Sequence, residues 1–327
     1  MFKKKLGFLL GVMVLLSLAG YLVCLAAGSS KKINSKEEFL LVTSFYPMYV
    51  LAENLTAGAE GVTVANLTEN QTGCLHDYQL TSRDMKLLDR ADAFLINGGG
   101  MELFMEKVLE GNTGLPVIEA SRGISLLEGV EHNHEGHGNE DAAHKEEHRE
   151  DAHGHAHAEN GHVWMDVERY RAQVITVKEK LQQLLPEQRE TLEKAASAYD
   201  AKLQTLAEYI EELKPYTEGK HVIIFHEAFA YLAESLGMEV LAALSLDEDA
   251  VPSAGEIAEV IEEINYHGGA YIFIEKEYAA YADKIMNETV SSVYYLDPLT
   301  TGDGSVNSYY DGMKKNLDTV SLLKSEK

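Results

Sequence analysis

The chain predicts an α/β fold of two lobes, each with a mostly parallel sheet flanked by helices, and three observations carry that prediction. Short β-branched and apolar runs recur in two sets of four, helical patterns separate the runs within each set, and one long amphipathic segment stands between the sets. Parallel strands read as near-continuous apolar runs because crossover helices bury both faces of their sheet. At 327 residues the chain is long enough for two cores of ordinary size.

Residues 1–28 begin with Lys3-Lys4-Lys5 and continue through a mostly apolar run from Leu6 to Ala27, the layout of an export signal. The mature chain is therefore expected outside the cytoplasm. Tyr21-Leu22-Val23-Cys24 loosely resembles a bacterial lipoprotein box, with Val23 where a small residue is usual. Three outcomes stay open: lipidation of Cys24, cleavage after Ala26-Ala27-Gly28, or retention of the roughly 20-residue apolar run as a membrane anchor. The lipid or anchor outcome is favoured and would attach the protein at the cell surface; cleavage would leave it periplasmic. The two cysteines, Cys24 and Cys74, support no disulfide framework. Cys74 reads as a small half-buried residue rather than a ligand.

The first lobe is predicted over 38–185, with strands at 39–43, 62–67, 93–96 and 116–118. Residues 131–160, EHNHEGHGNEDAAHKEEHREDAHGHAHAEN, interrupt it with eight of the thirteen histidines and nine acids. Neutral imidazole and carboxylate are the ligands that first-row divalent cations, above all Zn²⁺, take when thiolate is absent. A segment this polar cannot bury a core, so it reads as a metal-collecting loop; a solvated acidic linker is the plainer alternative.

From Pro186 to Lys214 the apolar residues Leu192, Ala195, Tyr199, Leu203, Leu206, Ile210 and Leu213 step by three and four, which predicts one amphipathic helix. At about 1.5 Å per residue it spans roughly 40 Å, enough for a strut between lobes, assigned to 186–215; a long helix packed within one domain is the alternative. Pro215 and Gly219 are expected to close it. The second lobe, 220–327, takes strands at 222–225, 240–244, 270–274 and 293–296.

A formal charge of −25 repels phosphate and concentrates cations, which argues against a nucleic-acid partner. Five histidines lie outside the tract, and three of them stand at strand ends. His76 follows the second strand through a loop and precedes a helix starting near Ser82. His162 ends the tract, just before a helix that Asp166 would cap. His226 comes directly after the strand at 222–225, and Asp297 follows the last strand. In open α/β sheets ligands bind outside the carboxyl ends of the strands, so His76, His162, His226 and Asp297 could surround one ion between two lobes. Three imidazoles and one carboxylate fit tetrahedral Zn²⁺. Taken singly, each also has a structural reading: a loop histidine beside Asp77, a satisfied core histidine, or a turn-opening aspartate before Pro298. His221 and His267 have no such placement and read as ordinary residues.

Further motifs point the same way. They are Thr43-Ser44-Phe45-Tyr46-Pro47-Met48, His76-Asp77-Tyr78 leading into Ser82-Arg83-Asp84-Met85-Lys86-Leu87-Leu88, Ile96-Asn97-Gly98-Gly99-Gly100, His162-Val163-Trp164-Met165-Asp166, His226-Glu227-Ala228-Phe229 and Leu296-Asp297-Pro298-Leu299. With these the chain resembles the solute-binding proteins of zinc and manganese ABC transporters over nearly its whole mature length. The resemblance implies two α/β lobes joined by a rigid backbone helix, with one metal in the cleft, and it places the family's ligands on His76, His162, His226 and Asp297. Manganese-type members usually carry glutamate at the third position and generally lack a histidine-rich loop, so His226 and the tract favour zinc. Leu75 stands where some zinc-type members place a further glutamate ligand, and Gln79-Leu80-Thr81 stand where the family often has prolines.

The expected function is capture of extracytoplasmic Zn²⁺, as transported ligand, and its delivery to an ABC-transporter permease by a monomer with no enzymatic chemistry. A manganese-type member is the alternative within the family. A secreted zinc hydrolase is the rival from another class, since His₃ sites with an open position activate water. Against it, His226-Glu227 lacks the second histidine of H-E-x-x-H, and Asp297 fills the position water needs. A zinc-buffering surface protein or adhesin is a third reading.

Overall fold

The computed structural model describes residues 38–68, 75, 78–105, 108, 114–129, 159–244 and 252–325. The export segment 1–28, Cys74, His76 and the tract residues 131–158 lie outside them. The first sheet is built from β1 (Phe39–Thr43), β2 (Val62–Asn66), β3 (Ala93–Ile96) and β4 (Val117–Glu119). Helices α1 (Tyr46–Leu55) and α2 (Ser82–Leu88) belong to its crossovers. A short antiparallel ribbon, β5 (Leu127–Glu128) with β6 (Glu159–Asn160), leads into α3 (Val167–Leu184) and α4 (Arg189–Thr217). The second sheet takes β7 (His221–Ile224), β8 (Glu239–Ala243), β9 (Ala270–Ile274) and β10 (Ser291–Tyr295), with α5 (Ala228–Ser235), α6 (Ala254–Tyr266), α7 (Ala279–Met286) and α8 (Ser308–Val320).

Both sheets have the same order, β2-β1-β3-β4 and β8-β7-β9-β10, and every neighbouring pair is parallel. Each chain reverses direction across its sheet beside the first strand, so the crevices open outside the carboxyl ends of β1 with β3 and of β7 with β9. All eight sheet strands predicted from sequence are present, with ends displaced by no more than two residues.

Apolar burial explains why the strands read as continuous runs. Leu41, Leu95, Val222, Ile224 and Phe273 share one core with the buried stripes of α3, α4 and α8. Val42, Leu88, Phe94 and Met105 cover the other face of the first sheet. Ile223, Phe225, Ile257, Ile272 and Ile274 do so for the second. Successive residues therefore face different cores, and none can be polar without cost.

The long helix α4 buries Leu192, Tyr199, Leu203, Leu206, Ile210 and Leu213, six of the seven periodic positions of the sequence, with Ala196 buried in place of the half-buried Ala195, and at 29 residues it spans about 44 Å. It packs against α1, α3 and α8. Pro215 does not close it: the helix runs through Pro215 to Thr217. Proline removes only the bond to the Glu211 carbonyl, and Glu211 is exposed, so water can satisfy that group. Closure comes at Gly219, whose φ of +70° suits glycine. Where α3, α4 and α8 meet, Tyr170 and Tyr309 stack with ring centroids 3.8 Å apart, and the Tyr199 hydroxyl donates to the Tyr170 hydroxyl. Burial among aromatics pushes the Tyr170 and Tyr309 phenols well above their ordinary range.

Candidate metal centre

Among the described residues, the carboxyl end of the first sheet is a buried polar scaffold. Ser44 follows β1 and Asn97 follows β3. The carboxylate of Glu102 accepts from Ser44 Oγ at 2.8 Å, Asn97 N at 2.8 Å and Gly98 N at 3.0 Å. Burial pushes the Glu102 carboxyl up to about 7, while these bonds pull it the other way. Gln173 of α3 donates to Asn97 Oδ1 at 2.9 Å, and Asn97 Nδ2 donates to the Gly161 carbonyl at 2.8 Å. The scaffold thus grips the main chain immediately before His162. Gly98, Gly99 and Gly100 all hold positive φ, which lets this loop fold tightly beneath Gly161. A Cβ on Gly161 would lie 2.6 Å from the Gly99 carbonyl oxygen and 2.6 Å from Met101 Cγ, so only glycine fits.

His162 is buried between β6 and the turn Val163–Met165. Asn160 Oδ1 accepts from the His162 backbone N–H at 3.0 Å and lies 2.9 Å from His162 Nδ1. Asp166 caps α3 as expected, accepting from Arg169 N. His226, also buried, comes one residue beyond Phe225, whose N–H still bonds to the Phe273 carbonyl. Its Nδ1 lies 3.2 Å from Glu275 Oε1, and Glu275 is the first residue past β9.

The two imidazoles meet with ring centroids 5.0 Å apart at 73°. Two imidazoles sharing a tetrahedral zinc at about 2.0–2.1 Å per nitrogen put their centroids roughly 5 Å apart. Asp297 is exposed and lies one residue beyond Leu296, which extends the β10 ladder to the Ile274 carbonyl. Asn316 holds the Asp297 main chain on both sides, and Asp297 Oδ1 accepts from Leu299 N at 2.8 Å. Trp164 Nε1 donates to the Pro298 carbonyl at 2.8 Å, and its ring lies 5.1 Å from that of His162. The Asp297 loop is thereby stapled to the residue two beyond His162. Among the described residues no three histidine, cysteine or acidic side chains are gathered as a metal cage. His76 lies outside them; on its flanks, Leu75 is buried and its carbonyl accepts from Tyr78 N.

Asn160 and Glu275 were not singled out by the sequence. Glu275 had a signal in principle, as the residue leaving the strand beside the switch point, but strand order is invisible before folding. A groove of about 910 Å³, lined by Tyr46, Thr68, Arg83, Lys86 and Asp303 among others, holds none of the described candidate ligands His162, His226 and Asp297 and carries three cationic side chains, Arg83, Lys86 and Arg90. His221 and His267 pair with each other, ring centroids 4.6 Å apart, and with Glu239 and Glu263. His221 lies within β7 and His267 follows α6, away from the strand ends that carry His226 and Glu275.

Two parallel sheets of identical order thus stand with two buried imidazoles that approach each other, His226 after β7 and His162 after the ribbon strand β6. Residues 41–321 match the family described as zinc-uptake complex component A periplasmic, and the chain belongs to that family. The family is one of binding components for metal uptake, not of enzymes. The zinc-binding lipoprotein AdcA of Streptococcus pneumoniae is 29% identical over 97% of this chain and 60% of its own length. The high-affinity zinc uptake system protein ZnuA of Bacillus subtilis is 29% identical over 99% of both. The chain spans about 61% of the length of the streptococcal zinc-binding proteins it matches. The Zn(II)-bound ZnuA-like domain of S. pneumoniae AdcA superposes with a TM-score of 0.67 at 26% identity, covering 88% of this chain and 98% of that one. The Ni²⁺ complex of FpvC from Pseudomonas aeruginosa, 23% identical with a TM-score of 0.72, shares the fold over 89% of this chain and 98% of its own.

Proposed function

We propose that the protein captures one Zn²⁺ outside the cytoplasm with His76, His162, His226 and Asp297 and hands it to an ABC-transporter permease. The observation that carries this reading is the buried pair His162 and His226, which approach at a spacing suited to a shared zinc. The names of the streptococcal and Bacillus relatives support zinc as the cargo, and so does a histidine rather than a glutamate at position 226. Three neutral imidazoles and one carboxylate fit tetrahedral Zn²⁺ and leave the bound ion a single positive charge.

In this reading the lobes are 38–185 and 220–327, joined by 186–215, and the protein works as a monomer. A lipid on Cys24 or an uncleaved 1–28 segment keeps it at the membrane; among the described residues no helix is long and apolar enough to cross one. The tract at 131–160 raises local ion concentration. Deleting it leaves cleft affinity nearly intact and slows uptake when zinc is scarce. Ligating imidazoles must be neutral, so zinc affinity falls as pH drops below about 6.5.

Metal content after exhaustive dialysis tests the reading. The native chain retains one zinc and His226→Ala retains none; equal retention by both would overturn the assignment.

A further inference from the structure

His162 and His226 each have their Nδ1 turned to a different kind of oxygen. Asn160 Oδ1 accepts the backbone N–H of His162, an obligate donor, so that atom is the amide oxygen rather than the nitrogen. The contact from His162 Nδ1 to the same oxygen at 2.9 Å therefore needs a proton on Nδ1. The Asn160 amide nitrogen is engaged elsewhere, donating to the Glu227 carbonyl at 3.0 Å, which ties it to the residue beside His226. Its own carbonyl accepts from the Tyr231 hydroxyl at 2.6 Å, and the residue is buried. On the other side, Glu275 Oε1 lies 3.2 Å from His226 Nδ1, with both side chains largely shielded from solvent. This approach is not closed as a hydrogen bond, but a carboxylate oxygen at that distance repels a nitrogen lone pair, so it favours the proton on Nδ1.

We infer that Asn160 and Glu275 are positioning residues for zinc capture: they hold Nδ1 protonated on His162 and His226 and so present both Nε2 lone pairs to one ion. A partner on the far nitrogen fixes tautomer and ring orientation and raises the basicity of the ligating one. The two supports are unequal in charge. Asn160 is neutral, whereas Glu275 places a negative charge beside the ion without occupying a coordination position. The second lobe thereby offsets the remaining positive charge of a three-histidine, one-carboxylate site.

This rests on the zinc-capture reading, and the experiment separates the two. Zinc affinity of the full chain is measured by competition with a chelator for the native protein, Glu275→Ala, Glu275→Gln and His226→Ala. Two-bond ¹H–¹⁵N spectra of the histidine rings report the tautomers of the metal-free forms. Glu275→Ala is expected to lose roughly 10- to 100-fold in affinity and to release His226 from the Nδ1–H form while His162 keeps it. Glu275→Gln keeps an oxygen acceptor, retains that tautomer and recovers most of the affinity. If Glu275→Ala binds as tightly as the native chain while His226→Ala does not, the positioning role is overturned and the zinc site stands. Equal losses in Glu275→Gln and Glu275→Ala with an unchanged His226 tautomer would also overturn it. If His226→Ala itself binds normally, the site assignment fails instead.

Discussion

The two sheets share one strand order and differ in what they place at the same point of it. Beyond β1 and β3 stand Ser44 and Asn97, drawn together by the buried carboxylate of Glu102. Beyond β7 and β9 stand Phe225-His226 and Glu275, an imidazole with its carboxylate. Among the described residues, the first sheet acts at one remove, clasping the Gly161 carbonyl beside His162, whereas the second places an imidazole side chain directly. One topology therefore yields both a cradle and a candidate ligand, and what chooses between them is a residue or two at the strand tip. Rigid elements with satisfied polar partners hold such tips more closely than free loops do.

Substitutions at the two tips should break that contrast to different degrees. His226→Ala has the largest effect, loss of the tightly held zinc with the fold retained, read by metal content and circular dichroism. Gly161→Ala comes next. Its Cβ collides with the Gly99 carbonyl and Met101, so unfolding in denaturant should show a loss of about 1–3 kcal/mol together with weaker zinc binding.

The scaffold also has a pH signature of its own. Glu102 titrates near 7 in the folded protein, above its ordinary value of 4.5, so between these values the folded state keeps a proton that the unfolded chain has released. Its stabilising contribution is complete below the lower value and lost as pH rises through the upper one. Glu102→Gln, which cannot ionise, should gain on the native chain by up to roughly 3 kcal/mol between pH 4.5 and 7.5, measured by unfolding across that range. A constant difference would contradict this. The smallest effect belongs to His221→Ala and His267→Ala, which pair with each other rather than with His226 and should leave zinc affinity unchanged in the same competition assay.

The strands were legible because each is buried on both faces, and β1, β3 and β9 begin and end where the apolar runs do. Pro215 misled because a proline in the last turn, above an exposed carbonyl, is tolerated. Of the candidate ligands, His162, His226 and Asp297 were singled out from their places after strands, and the fold brings His162 and His226 side by side. Glu102 and Glu275 could not be singled out that way, since an acid opening a helix or turn is ordinary on the page. Only the folded strand order shows Glu275 beside His226 and Glu102 beneath Asn97. Asn160 was hidden at the end of a polar tract whose composition masks a single buried amide.

The ribbon β5–β6 has a consequence for how this architecture can vary. Glu128 pairs with Glu159, so the chain departs for the tract and returns from it one interstrand spacing apart, about 5 Å, directly before Asn160. Tyr231 bolts that junction by accepting from Leu127 N and donating to the Asn160 carbonyl. Whatever is spliced between those two points meets the same short gap. The insert can be lengthened, trimmed or exchanged for another peptide while Asn160 and His162 keep their places.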